Sequence, residues 1–456
     1  MQTQPRNLGT RSTQVSHPIA ITYRSISELK LNPQNPRIHS PKQIRQIARS
    51  IRAFGFNVPV LINSTQQVIA GHGRLLACQS LGITEVPTIS LAHLTETQAK
   101  AFLIADNRLT ENATWDEKLL AESFKELSEV ELDFNLEDTG FVTAEIDLLI
   151  EGLAPATDGE TDPADVLPEI SVGPPVSQLG DLWVLGPHRV YCGDAREESS
   201  YRILMGNKCA SIVFTDPPYN LVIDGHVSGL GKIKHREFQM GCGEMTDAEF
   251  TAFLTQACTL MARFSVDGSL HYLFMDWRHM SNLLTAGQQV YEEFKNLCVW
   301  TKSNAGMGSL YRSAHELCFV FKHGKASHRN NIQLGQFGRY RTNVWQYDGM
   351  SSFGRTTEEG NLLALHPTVK PVALVADALL DASARGEVVL DPFIGSGTSV
   401  IASERTGRIC YGMEIDPLYI DTTIRRWQSF TGQIAVHGES GQSFSTLQAE
   451  RGGTHG

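Results

Sequence analysis

Ser211-Ile212-Val213-Phe214-Thr215-Asp216-Pro217-Pro218-Tyr219-Asn220 decides the fold. Ile212 to Phe214 is an apolar run that predicts a buried strand. The run stops at Thr215-Asp216, and two prolines follow. Proline lacks a backbone donor and cannot continue a central strand. The chain therefore leaves the sheet at the strand's carboxyl end, where open α/β sheets bind ligands. Asp216 can accept one hydrogen of an exocyclic amino group. The Pro217 carbonyl can accept the other, Pro218 stiffens the turn, and the Tyr219 ring can stack on a planar partner. The combination suits gripping an amino-bearing base.

A second strand exit lies downstream in Val388-Val389-Leu390-Asp391-Pro392-Phe393-Ile394-Gly395-Ser396-Gly397-Thr398. It predicts a strand, a glycine loop and a helix start, and Ile409 to Asp416 predicts the next strand. Strand, glycine loop, helix and strand with a closing acid make half of a dinucleotide-type fold. Gly395 and Gly397 let backbone approach a ligand closely. Glu414 follows Asp391 by 23 residues, the separation of a carboxylate that binds ribose hydroxyls. An acid at the first strand end is unhelpful to a phosphate ligand. It suits an ammonium group and a sulfonium, both of which S-adenosylmethionine carries. No Walker lysine is present.

Working outward, residues 437–456 are rich in Gly, Ser and Gln and are expected to fray. Towards the N-terminus, Gly180 to Cys192 predicts a hairpin, closed by Gly193-Asp194. Residues 154–173 have linker composition, placing a domain boundary within 153–174. Residues 116–152 predict acidic amphipathic helices and are expected to connect two domains. Before them, Ser40-Pro41 predicts a helix start. Gly71-His72-Gly73-Arg74 lies between a strand and a helix, where backbone N–H groups and a bidentate cation attract phosphate. Residues 1–21 are polar and aperiodic, with no secretory signal, and are expected to be disordered.

The 456 residues suffice for two or three domains, and the 41 % hydrophobic fraction is ordinary for globular protein. No apolar run approaches the roughly 18 residues that span a membrane, so a cytoplasmic location is expected. The eight cysteines form no Cys-x-x-Cys pair, so no metal site is expected. None follows a proline, which removes the Pro-Cys nucleophile needed for attack on cytosine carbon 5. Net charge is −11, but its distribution is uneven. Lys302, Arg312, Lys322, Lys325, Arg329, Arg339 and Arg341 face Glu316 alone between Trp300 and Arg341. Aromatic residues interleaved with these cations, up to about residue 360, suit a nucleic-acid surface. A long Gly/His/Lys loop, 224–243, has the length of a functional lid.

Two resemblances follow from these residues. Asn35-Pro36-Arg37, Gly71-His72-Gly73-Arg74 and Asp106-Asn107-Arg108 resemble, in that order, the ParB/sulfiredoxin-like domain over about residues 22–115. The resemblance implies an α+β domain with a nucleotide phosphate or DNA-related site at Gly71, His72, Gly73 and Arg74. Gly193-Asp194, Asp216 to Tyr219, His366 to Pro371, Asp391 to Thr398 and Glu414 resemble the β-group amino methyltransferases of DNA over about 175–430. That resemblance implies an α/β, Rossmann-like, circularly permuted methyltransferase whose catalytic strand precedes its S-adenosylmethionine loop. By it, Asp194 contacts adenine of the cofactor, and Glu414, with Asp416 beside it, the ribose. Lys370, Phe393, Gly395, Ser396, Gly397 and Thr398 hold the methionine end. Lys302, Tyr311, Arg312, His315, Arg339 and Arg341 are the expected contacts to double-stranded DNA. Asp at the first motif position goes with adenine N6 and Ser with cytosine N4, so Asp216 favours adenine. The fusion resembles phage and prophage modification methylases, and β-group relatives often form homodimers. The competing readings are a cytosine-N4 methylase and, from another class, a ParB-like nucleotide-gated DNA-binding protein or nuclease.

Overall fold

A computed structural model describes residues 19–130, 132–153, 163–165, 174–220, 244–302, 311–335, 339–348 and 369–452. The loop 224–243, residues 349–360 and His366 lie outside these, as do most of the expected linker and N-terminal segment. The chain divides into two compact units, Met1–Val142 and Thr143–Gly456.

The first unit runs β1 (Ile21–Ser25), α1 (Pro41–Phe54), β2 (Val60–Ile62), β3 (Val68–Ala70), α2 (His72–Ser80), β4 (Glu85–Ser90), α3 (Glu96–Glu111) and α4 (Glu117–Ser128). Its four strands pair in the order β1-β4-β2-β3. The Ser40 side chain accepts from Gln43 N and Pro41 fills the first turn, so α1 starts where the sequence predicts. Thr95 and Gln98 close a capping box on α3; such caps contribute about 1 kcal/mol each. Val60, Ile62, Val68, Leu75, Cys78 and Val86 form the core.

The second unit runs α5 (Thr143–Glu151), β5 (Leu182–Leu185), β6 (His188–Cys192), α6 (Glu198–Met205), β7 (Ala210–Thr215), α7 (Asp247–Arg263), β8 (Ser265–Met275), α8 (Met280–Val290), β9 (Glu293–Thr301), β10 (His315–Lys322), β11 (Val344–Gln346), α9 (Val372–Ala382), β12 (Val388–Asp391), α10 (Thr398–Thr406), β13 (Ile409–Glu414), α11 (Pro417–Thr431), β14 (Val436–His437) and α12 (Phe444–Gly452). The sheet order is β11-β9-β10-β8-β7-β12-β13-β6-β5-β14. β8, β7, β12, β13 and β6 are mutually parallel. Both faces are covered, which explains the unbroken apolar run in β7. Ile212 and Phe214 pack into one core layer and Val213 into the other. From β7 the chain moves outward to β8, and from β12 it moves the opposite way to β13. The β7/β12 junction is therefore the topological switch point, where a crevice opens at the strand ends.

Three expectations are corrected. The 116–152 connector is not one piece, because α5 belongs to the second unit. Its Asp147, 1 % exposed, pairs with Arg408 at 2.8 Å and Arg385 at 2.9 Å. Within the expected linker, residues 163–165 pack into the core: Ala164 is buried, and Asp165 accepts from Val372 N at the start of α9. The C-terminal tail is ordered to Gly452, since β14 extends the sheet and Phe444 and Leu447 are buried against Trp183 and its neighbours. Among the described residues no helix is long and apolar enough to cross a membrane.

Candidate active site

Every parallel strand ends at one edge of the sheet, and the expected site residues collect there. Asp216 follows β7, Asp391 ends β12, Glu414 ends β13 and Asp194 follows β6. β10 is antiparallel to β8, with Leu317 opposite Met275, so Glu316 enters at the same edge. Thr301 pairs with His315, which adds Lys302 beside it.

Asp391 is 4 % exposed and binds inward. Thr215 Oγ1 donates to it at 2.7 Å, Ser399 Oγ at 2.6 Å and Phe393 N at 3.2 Å. These bonds knit β7, β12 and α10 together. Burial raises the carboxyl to about 6 despite them. Glu414 accepts from Gly395 N at 3.1 Å and Asp416 N at 3.0 Å. Burial raises it further, to about 7, with Asp416 adding repulsion. Asp416 itself caps α11 by accepting from Leu418 N. Asp194 is paired with Arg196 at 2.7 Å. Burial opposes its charge, but the Arg196 hydrogen bonds hold its carboxyl below the ordinary range.

The glycine loop is tightly built. Gly397 has φ 83°, and a Cβ there would meet Thr423 Cγ2 at 2.6 Å. Arg426 lies behind the loop, 2 % exposed, donating to Ser396 O at 3.2 Å, Thr398 Oγ1 at 3.1 Å and Ala164 O at 2.9 Å. Burial lowers its guanidinium to about 10. Arg426 went unnoticed in the sequence, because the adjacent pair Arg425-Arg426 in an amphipathic helix gives no sign of which one points inward.

At the β7 exit, Tyr219 Oη lies 2.5 Å from Asp216 Oδ1 and 3.2 Å from Glu316 Oε2. Among the described residues no donor reaches the Pro217 carbonyl. Lys370, expected at the methionine end of the cofactor, instead places its ammonium on Asp216 Oδ2, and on Glu316 at 2.9 Å. Lys302, expected on DNA, pairs with the other Glu316 oxygen and lies over the Trp300 ring at 4.6 Å. Burial would raise Glu316, yet Lys370 and Lys302 hold it down at about 2. Burial also pushes Asp216 up, and there Glu316 adds to the shift while Lys370 opposes it. Of the two carboxylates, Glu316 is thus the more firmly ionised. The Tyr219 hydroxyl is pushed well up by burial and the two acids.

Two expected DNA contacts are corrected. Arg339 pairs with Asp377 at 3.0 Å and Asp381 at 3.1 Å, and its side chain is only 8 % exposed. Arg341 pairs with the same two acids at 3.1 and 3.0 Å. The acids lie four apart on one face of α9, so the two cations clamp residues 339–348 onto that helix. Tyr311 and Arg312 remain exposed just before β10, and His315 is half-buried.

In the first unit, Gly71 adopts φ 99° at the start of α2. His72 and Arg74 are held inward there: Arg74 donates to Pro59 O at 3.3 Å, while His72 Nε2 and Arg74 Nε are buried with no partner among the described residues. Gly73 is packed close to His39 and Ile47.

Comparison with known proteins assigns each region. Residues 210–425 match the family model for DNA methylase of the N6/N4 type. Residues 10–107 match the ParB N-terminal domain and 118–179 the ParB-methyltransferase HTH domain. Residues 210–425 thus fall in the N6/N4 DNA methylase family. A ParB-type N-terminal domain precedes that methylase region. The ParB-like nuclease domain-containing protein YnaK of Escherichia coli (strain K12) is 42 % identical over 84 residues, 18 % of this chain and 97 % of that protein. Type II methyltransferase M2.MboI of Moraxella bovis is 26 % identical over 237 residues, 48 % of this chain and 81 % of its own. The solved M1.HpyAVI–SAM complex is 21 % identical, covering 52 % of this chain and 97 % of that one, with a TM-score of 0.38. The family models, rather than so loose a structural likeness, carry the assignment.

Proposed function

We propose that this chain methylates N6 of adenine in double-stranded DNA. The observation that carries the reading is the β7 exit at the switch point, where the half-buried carboxylate of Asp216 adjoins a Pro217 carbonyl with no donor among the described residues. An aromatic amino group is a poor nucleophile because its lone pair is delocalised into the ring. Two acceptors, one on each hydrogen, localise that pair, and the positioned dipoles do so without reorganising. No covalent enzyme intermediate is required. Aspartate at this position goes with adenine in the methylases that the chain resembles, which favours adenine over cytosine.

S-adenosylmethionine supplies the methyl group. The edge suits such a cationic, diol-bearing ligand: Asp194, Asp391, Glu414 and Asp416 line it, and the Gly395–Thr398 backbone allows close approach. Glu414 takes the ribose hydroxyls and Asp194 the adenine side. Asp391 acts chiefly by fixing the loop, since its oxygens already hold Thr215 and Ser399. The target base must leave the duplex, and stacking on Tyr219 returns roughly 1–3 kcal/mol. Tyr311 and Arg312 flank that base.

At Gly71–Arg74 the chain binds a nucleotide phosphate, for which the backbone N–H groups at the start of α2 are the suited donors, with Arg74 bracing the turn through Pro59 O. Arg74→Ala is expected to abolish nucleotide binding measured by filter retention, with methylation unaltered in the absence of nucleotide.

Methylation-sensitive sequencing of DNA from cells expressing the chain tests the main reading. One adenine-containing motif is expected to be modified throughout; unmodified DNA from cells holding folded protein would refute it.

A further inference from the structure

Both oxygens of Asp216 already hold a donor, and an incoming amino group must compete with them. Oδ1 is occupied by the Tyr219 hydroxyl at 2.5 Å, and Oδ2 by the Lys370 ammonium. Lys370 is 5 % exposed, so water can solvate its ammonium only slightly. It does have a second anion, Glu316 Oε2, already at 2.9 Å. The other Glu316 oxygen holds Lys302, so two cations and two carboxylates balance within one cluster. Three aromatic rings wall it around the ammonium: Phe274 at 4.7 Å, Trp300 at 5.8 Å and Tyr219 at 5.8 Å. Ring faces attract a cation without fixing its position. A short shift of Lys370 from Asp216 towards Glu316 therefore keeps the charges paired and the cation solvated by rings.

We propose that Lys370 is a place-holder, whose ammonium occupies the Asp216 oxygen needed by the target amino group, and that Glu316 is the positioning residue that receives it when the base enters. This rests on the methylase reading above. Before DNA binds, the ammonium keeps Asp216 ionised in a site whose burial favours the neutral acid. Afterwards it remains close enough to support the same charge while the base holds the oxygen. An empty pocket is thereby kept from collapsing to a protonated Asp216, which would be a poorer acceptor.

The test uses the full chain, S-adenosylmethionine and a duplex containing the motif that sequencing identifies, with 2-aminopurine beside the target base to report its extrusion. Wild-type methylation of this duplex is the reference, so failure of the methylase reading would show in the wild type and failure of the place-holder only in the variants. Glu316→Gln removes the charged landing site. The DNA concentration for half-maximal extrusion is expected to rise at least about tenfold, equivalent to roughly 1.4 kcal/mol. Adding Lys370→Met is expected to restore extrusion without restoring turnover, because nothing then holds the Asp216 oxygen. A purely structural Glu316 would show no such rescue. Extrusion by Glu316→Gln at wild-type concentrations, or a double variant no better than the single one, would overturn the proposal. Should Glu316→Gln fail to fold, Lys370→Met alone decides. Its KM for DNA is expected to stay level or fall, while kcat drops and its pH profile moves to higher pH. A raised KM with an unmoved profile would refute the assignment.

Discussion

On the proposed reading, in which Glu414 takes the ribose hydroxyls, cofactor binding strengthens as pH rises. Its carboxyl is raised to about 7 by burial, against hydrogen bonds from Gly395 N and Asp416 N. Ribose hydroxyls donate, so they favour the ionised carboxylate, and binding expels the proton. At pH 6 about one Glu414 in eleven is ionised, and at pH 8 about ten in eleven. Apparent affinity scales with the competent fraction, so Kd for S-adenosylmethionine should be about tenfold weaker at pH 6 than at pH 8. Calorimetry in buffers of different ionisation enthalpy should register release of about 0.9 proton at pH 6. Glu414→Gln should bind more weakly and lose most of the pH dependence, which leaves Asp391, raised to about 6, as the smaller contributor. The same shift acts oppositely on the ligand-free fold. A carboxyl raised in the folded state contributes stability that is present below its unfolded value and lost as pH rises through about 7. That amounts to about 3 kcal/mol. Wild-type affinity equal at pH 6 and pH 8, with no proton released, would refute this role for Glu414.

Asp216→Ala should bind S-adenosylmethionine like the wild type in calorimetry yet lose methylation by at least about a thousandfold, the scale of removing a key electrostatic contact; retained turnover would sink the mechanism. Gly397→Ala forces a side chain into φ 83° and against Thr423, so it should destabilise the loop by about 1–3 kcal/mol, seen as a lower melting temperature and weakened cofactor binding. Asp147→Ala leaves Arg408, whose side chain is fully buried, without its carboxylate, and should cost about 3 kcal/mol in denaturant unfolding while the substitution lies outside the candidate site.

Much of this was legible in the chain. The β7 and β12 exits, the glycine loop and Glu414 announce themselves because apolar runs that end in Asp, Pro or Gly leave few ways to continue. What stayed hidden depends on side-chain direction across long sequence separations. Lys370 lies 154 residues from Asp216, and its motif context pointed to the cofactor rather than to the catalytic carboxylate. Arg339 and Arg341 read as a basic surface because their partners, Asp377 and Asp381, lie on another element. Their spacing of four on a predicted helix was the available clue. α5 looked like solvated connector because Asp147 counted as one more acid until Arg408 was found opposite it. The tail was misread from composition, which recorded its Gly and Ser but not the two apolar anchors, Phe444 and Leu447. α8 gave little signal because polar residues dilute its apolar stripe.

Nucleoside mass spectrometry tests the central claim most directly. Unmethylated duplex DNA incubated with the purified chain and S-adenosylmethionine, then digested to nucleosides, should yield N6-methyladenine, and Asp216→Ala should yield none. N4-methylcytosine as the product, or N6-methyladenine formed equally by Asp216→Ala, would contradict the account.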